Sequence, residues 1–140
     1  MKILALDVGT KTIGMAISDN LEIIATPAGC YKRQTLKKDI EYLEEYIKKN
    51  KIDKIIVGYP VYLDGTESKM TKFVKKFYYK IKDRWGIDVE LWDERLTTEE
   101  AIEILKAKNI NDYKKIKNKK DEISAALILR SYLEAKNSNY

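Results

Sequence analysis

The sequence contains no histidine and a single cysteine, and these shortages exclude several kinds of active site. Without histidine the chain can form neither a Ser-His nor a Cys-His nucleophile pair, and it lacks the commonest protein ligand of zinc. Cys30 alone can form neither an internal disulfide nor a cysteine-rich zinc site, so we expect a small core or strand residue in a reducing compartment. Acid–base chemistry must therefore come from carboxylates, lysine or tyrosine.

Long apolar runs are also missing. No stretch approaches the roughly 18 apolar residues that a membrane-spanning helix requires. The N-terminus lacks the charged-then-apolar pattern of a secretory signal. The sequence therefore predicts a cytoplasmic protein without a membrane partner.

The charge balance favours a polyanionic partner. The 140 residues include 27 Lys plus Arg and 22 Asp plus Glu, which gives a formal net charge of +5. A positive balance of this kind is typical of nucleic-acid-binding proteins, although charge alone is a weak signal. The length predicts one domain over residues 1–140.

Hydrophobic patterning predicts an α/β domain. Short apolar segments typical of strands occupy residues 3–6, 13–18, 22–26, 54–60 (KIIVGYP) and 87–92 (IDVELW). Gly58 and Pro60 are expected to stop the fourth of these strands. Helical spacing begins near Thr35, and further helices are expected over 98–108 and 119–135. One face of a helix is marked by Met70, Phe73, Val74, Phe77, Ile81 and Trp85. The alternation indicates a largely parallel sheet with an antiparallel hairpin at one side.

Acidic residues stand where the predicted strands end. The first strand ends at Asp7, and IDVELW is followed by Asp93 and Glu94. Asp121 shares a helical stripe with Ala125, Ile128, Leu129 and Tyr132, and because this stripe must face the sheet, Asp121 is aimed at the strand ends. Ligands of open α/β sheets bind at this edge, so we expect these carboxylates to converge. Each acid taken singly has an alternative interpretation as a turn residue, a solvated charge or a helix N-terminal acid.

Clustered carboxylates would repel one another unless a cation neutralised them. Mg²⁺, or Mn²⁺ in its place, prefers oxygen ligands and completes its shell with water and substrate phosphate. Two such ions about 4 Å apart would orient a water molecule and stabilise the leaving oxygen of a phosphodiester. The acidic cluster therefore predicts metal-dependent phosphodiester cleavage.

A lysine-rich stretch precedes Asp121. Residues 106–120, KAKNINDYKKIKNKK, contain seven lysines and one aspartate. Lys119 and Lys120 flank the predicted site and are the best candidates in this stretch for phosphate contacts. Lys11, in the hairpin beyond Asp7, and Arg95, directly after Glu94, are further candidates. A solvated loop is the alternative interpretation of the stretch.

The chain contains four segments, LALDVGTKTIGMAISD, IIVGYPVYLDGTES, WDERLTTEEA and KKDEISAALILRSYL. In order and spacing they resemble segments of the YqgF-type pre-16S ribosomal RNA nucleases, also called Holliday junction resolvases. The resemblance implies an RNase H-like fold, a five-stranded mixed sheet flanked by helices, and metal-dependent cleavage by an acidic cluster. It matches Asp7, Glu94 and Asp121 to the catalytic and metal-binding acids, while the neighbouring Asp93 leaves the second position open.

The resulting functional hypothesis is a metal-dependent endonuclease that processes the 5′ end of pre-16S ribosomal RNA. A Holliday junction, or other branched DNA, fits the same basic surface, and a nucleic-acid-binding module without catalysis is a further alternative. The segment LDVGTKTIG also looks like the phosphate loop of actin-like ATPases, but 140 residues are too few for the two lobes of those enzymes. A monomer and a homodimer are both compatible with the sequence, and symmetric cleavage of a junction would require a two-fold dimer.

Overall fold

The computed structural model describes residues 1–59, 68–93 and 120–137, with the backbone alone at residues 120 and 121. Within these ranges the chain forms five strands and three helices. The strands are β1 (Ile3–Val8), β2 (Thr12–Ser18), β3 (Ala25–Lys32), β4 (Lys54–Tyr59) and β5 (Asp88–Asp93). The helices are α1 (Leu36–Asn50), α2 (Lys69–Ile81) and α3 (Lys120–Asn137).

The five strands form one mixed sheet in the order β3-β2-β1-β4-β5. β1 pairs antiparallel with β2, which pairs antiparallel with β3, whereas β1 and β4, and β4 and β5, pair parallel. The carboxyl ends of β1, β4 and β5 therefore meet at one side of the sheet, which we call the carboxyl edge. This topology confirms the predicted α/β class and the predicted five-stranded sheet with its antiparallel side.

Two hydrophobic clusters cover the two faces of the sheet. The first joins Leu4, Leu6 and Val8 of β1 to buried residues of α1 and α2. The second joins Ile3 and Ala5 of β1 to α3, which contributes Ala125, Ile128, Leu129, Tyr132 and Leu133. Because side chains of a strand alternate between its two faces, Asp7 belongs to the face that α3 covers.

The capping residues explain where two of the helices begin. The Thr35 side chain accepts a hydrogen bond from the Lys38 N–H, so α1 begins where the helical spacing of the sequence begins. Ser68 and Thr71 form a reciprocal capping box at the start of α2. Among the described helices, none combines the length and apolar character that crossing a bilayer needs.

The third strand differs most from its predicted position. Residues 22–26 were expected to form it, whereas β3 runs over Ala25–Lys32. The Asp19 carboxylate accepts the backbone N–H groups of Ile23 and Ile24 at 2.8 and 3.0 Å, and Glu22 has a left-handed φ of 59°. These bonds, with that of Ile24 the largest cause, lower the pKa of Asp19. Ile23 and Ile24 therefore belong to an exposed turn, and the strand that their apolar character predicts at these positions does not form.

Other boundaries shift by smaller amounts. β4 continues through Gly58, which was expected to stop it. α2 ends at Ile81, because the following residues turn through a left-handed Asp83, and Trp85 packs on the first cluster from outside the helix. Cys30 lies in a strand as expected, but it is exposed and does not belong to the core. The helix predicted over 98–108 lies outside the described residues.

Lys54, the first residue of β4, connects several elements at the edge of the sheet opposite the carboxyl edge. Its ammonium group lies 2.9 Å from the Glu90 carboxylate and 3.2 Å from that of Asp88, and 5.1 Å from the ring centroid of Tyr132. Burial alone would lower the pKa of Lys54, but the hydrogen bonds to Glu90, Tyr132 and Asp88 outweigh it and raise the pKa above its ordinary 10.5. Lys54 therefore ties β4 to β5 and to α3.

Candidate active site

Asp7 lies near the carboxyl end of the central strand, half-buried, on the α3 face of the sheet. It is paired with Gly14 on β2. On the other side, the register Leu6↔Val57 places Gly58 of β4 next to it. At these two register positions the neighbouring strands therefore contribute backbone and no side chain.

A buried cluster fixes the turn that follows Asp7. The Arg33 guanidinium donates from Nη1 to the Gly9 carbonyl at 2.9 Å and from Nε to the Asp39 carboxylate at 3.0 Å. Asp39 is fully buried, and it also accepts the backbone N–H of Gln34 at 2.8 Å. We call Arg33, Asp39 and the Gly9 carbonyl the arginine clamp. Because Gly9 lies two residues after Asp7, the clamp restrains the chain directly beyond the predicted metal ligand.

Aromatic residues enclose the arginine clamp. The Arg33 guanidinium lies 5.2 Å from the ring centroid of Phe73 and 5.4 Å from that of Phe77, both on α2. Burial, followed by a hydrogen bond to Asp39, raises the pKa of Tyr31 above its ordinary value. The cluster thus joins β3, α1 and α2 behind the carboxyl edge. Sequence reasoning missed it, and the only signal was an aspartate beside the buried Ile40 in the first turn of α1.

The structure separates Asp93 from Asp7. Trp92 packs on the α3 side of the sheet, and its indole Nε1 lies 3.3 Å from the Ser131 hydroxyl. Leu91 packs on the opposite cluster. By strand alternation Asp93, the last residue of β5, is directed to the α1–α2 face, opposite to Asp7. Glu94 lies outside the described residues.

The first turn of α3 lies at the carboxyl edge. The Glu122 carboxylate accepts the backbone N–H of Gly29 at 2.7 Å, and the next residue of β3, Cys30, stands in register with Gly14 and through it with Asp7. At the other end of α3, Lys136 pairs with Glu22 at 2.9 Å, beyond the opposite end of β2. α3 therefore runs antiparallel to β1 and brings the Asp121 backbone toward Asp7. The structure describes the backbone of Asp121 and not its side chain.

The bond between Glu122 and Gly29 occurs where β3 is irregular. The pairing of β2 with β3 shifts by one residue between Gly14 and Ala16, and Gly29 has a φ of +100°, a conformation that glycine adopts readily. A residue in such a bulge loses its regular partner in the ladder, and Glu122 supplies one. Sequence reasoning singled out Asp121 and overlooked its neighbour, and no pattern in the sequence distinguishes the two roles.

Two of the predicted phosphate-binding residues lie at this edge as far as the structure describes them. Lys11 is exposed in the turn between β1 and β2, and Lys120 is the first residue of α3. Arg95 and Lys119 fall outside the described residues. Lys32, exposed at the end of β3 and paired with Thr12, is a further cation near this edge that the sequence reasoning did not identify.

The described ranges contain no group of three Cys, Asp or Glu side chains close enough to hold a metal ion. Those ranges include the Asp7 carboxylate but neither Glu94 nor the Asp121 side chain. The chemistry of the predicted ligands nevertheless suits a hard cation, since Asp7, Glu94 and Asp121 all provide carboxylate oxygens and the chain has no histidine.

The solved structures that resemble this one identify its fold class. The Thermus thermophilus RuvC structure in complex with a Holliday junction substrate matches with a TM-score of 0.56 at 11% identity, covering 98% of this chain and 96% of that one. The yeast mitochondrial Holliday junction resolvase matches with a TM-score of 0.58 at 11% identity, covering 99% of this chain and 80% of that one. Identities this low establish the fold alone, and that fold is the RNase H-like fold of the RuvC-type resolvases.

Sequence similarity identifies the family within that class. The family model described as "RuvX: Holliday junction resolvase" matches residues 1–135, and the chain belongs to this family. Relatives named "Putative pre-16S rRNA nuclease" include a protein of Carboxydothermus hydrogenoformans, 38% identical over 139 residues, covering 99% of this chain and 100% of that protein. The relative from Thermoanaerobacter pseudethanolicus is 41% identical over 135 residues, covering 96% of this chain and 97% of that protein. The resemblance found from the four sequence segments is confirmed.

Proposed function

We propose that this protein is a cytoplasmic, divalent-metal-dependent endonuclease, formed as one domain over residues 1–140, that cleaves the precursor of 16S ribosomal RNA near its 5′ end. Membership of a nuclease family supports phosphodiester hydrolysis as the reaction, and the names of the relatives support the ribosomal RNA precursor as the substrate. The observation that carries the proposal is the placement of Asp7 at the carboxyl end of the central strand, between two glycines and on the face where α3 begins.

We infer that Asp7, Glu94 and Asp121 hold the metal, as Mg²⁺ or Mn²⁺. Asp93 is a poor alternative to Glu94, because it is directed to the face opposite Asp7. When bound, the metal would activate a water molecule and stabilise the leaving oxygen of the phosphodiester. The protein itself would keep the three carboxylates close together and restrain the turn that follows Asp7.

The basic residues near the carboxyl edge suit the phosphate backbone of a nucleic acid. We infer that Lys11, Arg95, Lys119 and Lys120 contact phosphates on either side of the scissile bond. Lysine acts as a flexible point charge, so these contacts would position the substrate without reading its bases.

A Holliday junction is the second candidate substrate, because the family model carries the name of a junction resolvase. Symmetric cleavage of a four-way junction requires two active sites related by a two-fold axis, so the molecular mass in solution distinguishes the candidates in part. A monomer favours the RNA substrate, and a stable homodimer favours the junction.

The test compares Asp7→Asn with Asp93→Asn. Both variants remove one negative charge from the end of a strand, but only the first removes a proposed metal ligand. We expect Asp7→Asn to lower the cleavage rate of a 5′ precursor fragment in Mg²⁺ or Mn²⁺ by at least about 100-fold. Loss of a residue that only orients a metal ligand lowers activity by at most about 100-fold, so loss of a ligand itself should cost at least as much. We expect Asp93→Asn to cleave at nearly the wild-type rate.

Folding and substrate choice are followed in the same experiment. Asp7→Asn should unfold at the wild-type temperature or above, because removing one acid of a cluster relieves repulsion in the metal-free protein. The four-way junction is offered in parallel with the RNA. If Asp7→Asn cleaves either substrate at the wild-type rate, the site is wrong, and if the wild type cleaves only the junction, the RNA substrate is wrong.

A further inference from the structure

The exposed side of α2 carries a row of lysines. Lys69, Lys72, Lys76 and Lys80 are all exposed and lie three or four residues apart, which confines them to about 80° of the helix circumference. Residues 69–82 contain six lysines and no acidic residue. We call these four exposed lysines the α2 lysine row.

The α2 lysine row is held on a fixed support. The opposite side of the helix is buried through Val74, Phe77 and Ile81, and the capping box of Ser68 and Thr71 fixes the first turn. From the first lysine to the last, the helix rises about 16 Å, at about 1.5 Å per residue. The ammonium groups therefore project from a rigid rod, in contrast with lysines on an irregular loop.

The row leads away from the candidate active site. Phe73, in the second turn of α2, contacts the Arg33 guanidinium, which in turn binds the Gly9 carbonyl at the carboxyl edge. The far end of α2 leads to Asp88, which pairs with Lys54 at the start of β4. α2 thus runs from the carboxyl edge to the opposite side of the sheet, and the row begins near the site.

Within residues 1–59, 68–93 and 120–137, no acid forms an ion pair with the α2 lysine row. Like charges three or four residues apart on a helix repel one another and destabilise it. A polyanion laid along the row would remove this repulsion and release its own counterions.

We propose that the α2 lysine row binds the phosphodiester backbone of the nucleic-acid substrate at a distance from the scissile bond. The inference rests on the proposed function, since it assumes that the substrate of the site is a nucleic acid. It adds a second contact surface, on the α1–α2 side of the sheet. Because lysines contact phosphates and not base edges, this surface strengthens binding of all sequences about equally.

The test measures binding without cleavage. Affinity for a fluorescently labelled precursor RNA and for a four-way DNA junction is measured in EDTA, over about 50–200 mM salt. Two variants divide the row, Lys69→Gln with Lys72→Gln and Lys76→Gln with Lys80→Gln. The control variant, Lys48→Gln with Lys49→Gln, removes the same charge from exposed positions in the last turn of α1.

Each row variant should weaken binding and flatten the slope of log K against log salt by about 1.4 for single strands or 1.8 for duplex, two contacts at about 0.7 or 0.9 each. The control should leave the slope unchanged. Lys76→Arg with Lys80→Arg, which keeps the charge, should restore the wild-type slope.

Equal effects in the row variants and the control, or an unchanged slope in both row variants, would overturn the proposal. Circular dichroism establishes that each variant is folded before its slope is compared. Because the assay contains no metal, it is independent of catalysis: failure to cleave any substrate in Mg²⁺ or Mn²⁺ counts against the proposed function, and not against the lysine row.

Discussion

Asp39→Asn tests whether the arginine clamp is a true buried ion pair. Asp39 is fully buried and the Arg33 side chain is 12% exposed, so the substitution leaves a nearly buried guanidinium without its counter-charge. Removing one partner of a buried pair costs about 3–5 kcal/mol. Asparagine still accepts the Gln34 N–H, so we expect the lower value, about 3 kcal/mol. For a chain of this length that lowers the melting temperature by about 10 °C.

The clamp also predicts a loss of activity below the melting temperature. Arg33 holds the Gly9 carbonyl, and a loosened guanidinium no longer restrains the turn beyond Asp7. We expect the cleavage rate to fall by about 10–100-fold, as for other groups that orient a metal ligand, while the circular dichroism spectrum at 25 °C stays that of the wild type. Thermal unfolding and single-turnover cleavage measure the two effects on the same preparation.

A double-mutant cycle supplies the control. Arg33→Met removes the other charge, and the double variant removes both while keeping an acceptor for Gln34. The double variant should be more stable than the sum of the single effects predicts, by about 2 kcal/mol, because neither charge is left alone. If the single effects add within about 0.5 kcal/mol, or if Asp39→Asn costs less than about 1 kcal/mol, the ion-pair argument is refuted.

Two further substitutions test other links to the site. Glu122→Ala should lower the free energy of unfolding, measured in urea, by about 1.5–3 kcal/mol, because Gly29 loses a charge-assisted hydrogen bond that holds the first turn of α3. The same variant should also reduce the cleavage rate. The control Glu134→Ala, at an exposed side chain, should lower the free energy of unfolding by less than about 0.5 kcal/mol. Lys54 has a raised pKa in the folded protein, so its contribution is present below pH 10.5 and is lost as the pH rises through the folded value. The difference in melting temperature between wild type and Lys54→Met should therefore stay constant up to about pH 10 and shrink as the pH rises further above 10.5. A difference that does not change above pH 10.5 would count against this assignment.

The topology was predictable because local patterns carried it. The continuous apolar run of β1 predicts a buried strand, and the helical spacing after Thr35 and the apolar stripe of α3 each predict a helix packed on the sheet. The structure contains all three. The turn at Ile23 and Ile24 was not predictable from apolar character, because a single carboxylate, Asp19, decides its backbone conformation. Such a side-chain to backbone bond leaves little trace in hydrophobic periodicity.

The candidate site was predictable only in part, for a related reason. Strand ends and helix stripes place acids at an edge, so Asp7 could be selected from the sequence. The choice between Asp93 and Glu94 depends on the face to which each is directed, and this required knowing that Trp92 packs against α3. Gly58 was interpreted as a strand stop, whereas it continues the strand beside Asp7. The arginine clamp joins residues from three separate segments of the chain, and no spacing in the sequence predicts such a cluster.

The pairing of the first strand with the last helix has a consequence for the order of folding. Asp7 belongs to β1, whereas α3 begins only at Lys120, so the two elements are far apart along the chain. Ile3, Ala5 and Ile56 pack against α3 in the second cluster, so docking of α3 buries that face of the sheet and brings the Asp121 backbone to the carboxyl edge in one event. Contacts between such distant segments form late, because a long loop must close first. A nascent chain that has not yet docked α3 therefore exposes one apolar face of the sheet and lacks the proposed acidic centre. If that centre is the active site, nuclease activity arises only when the second cluster is complete.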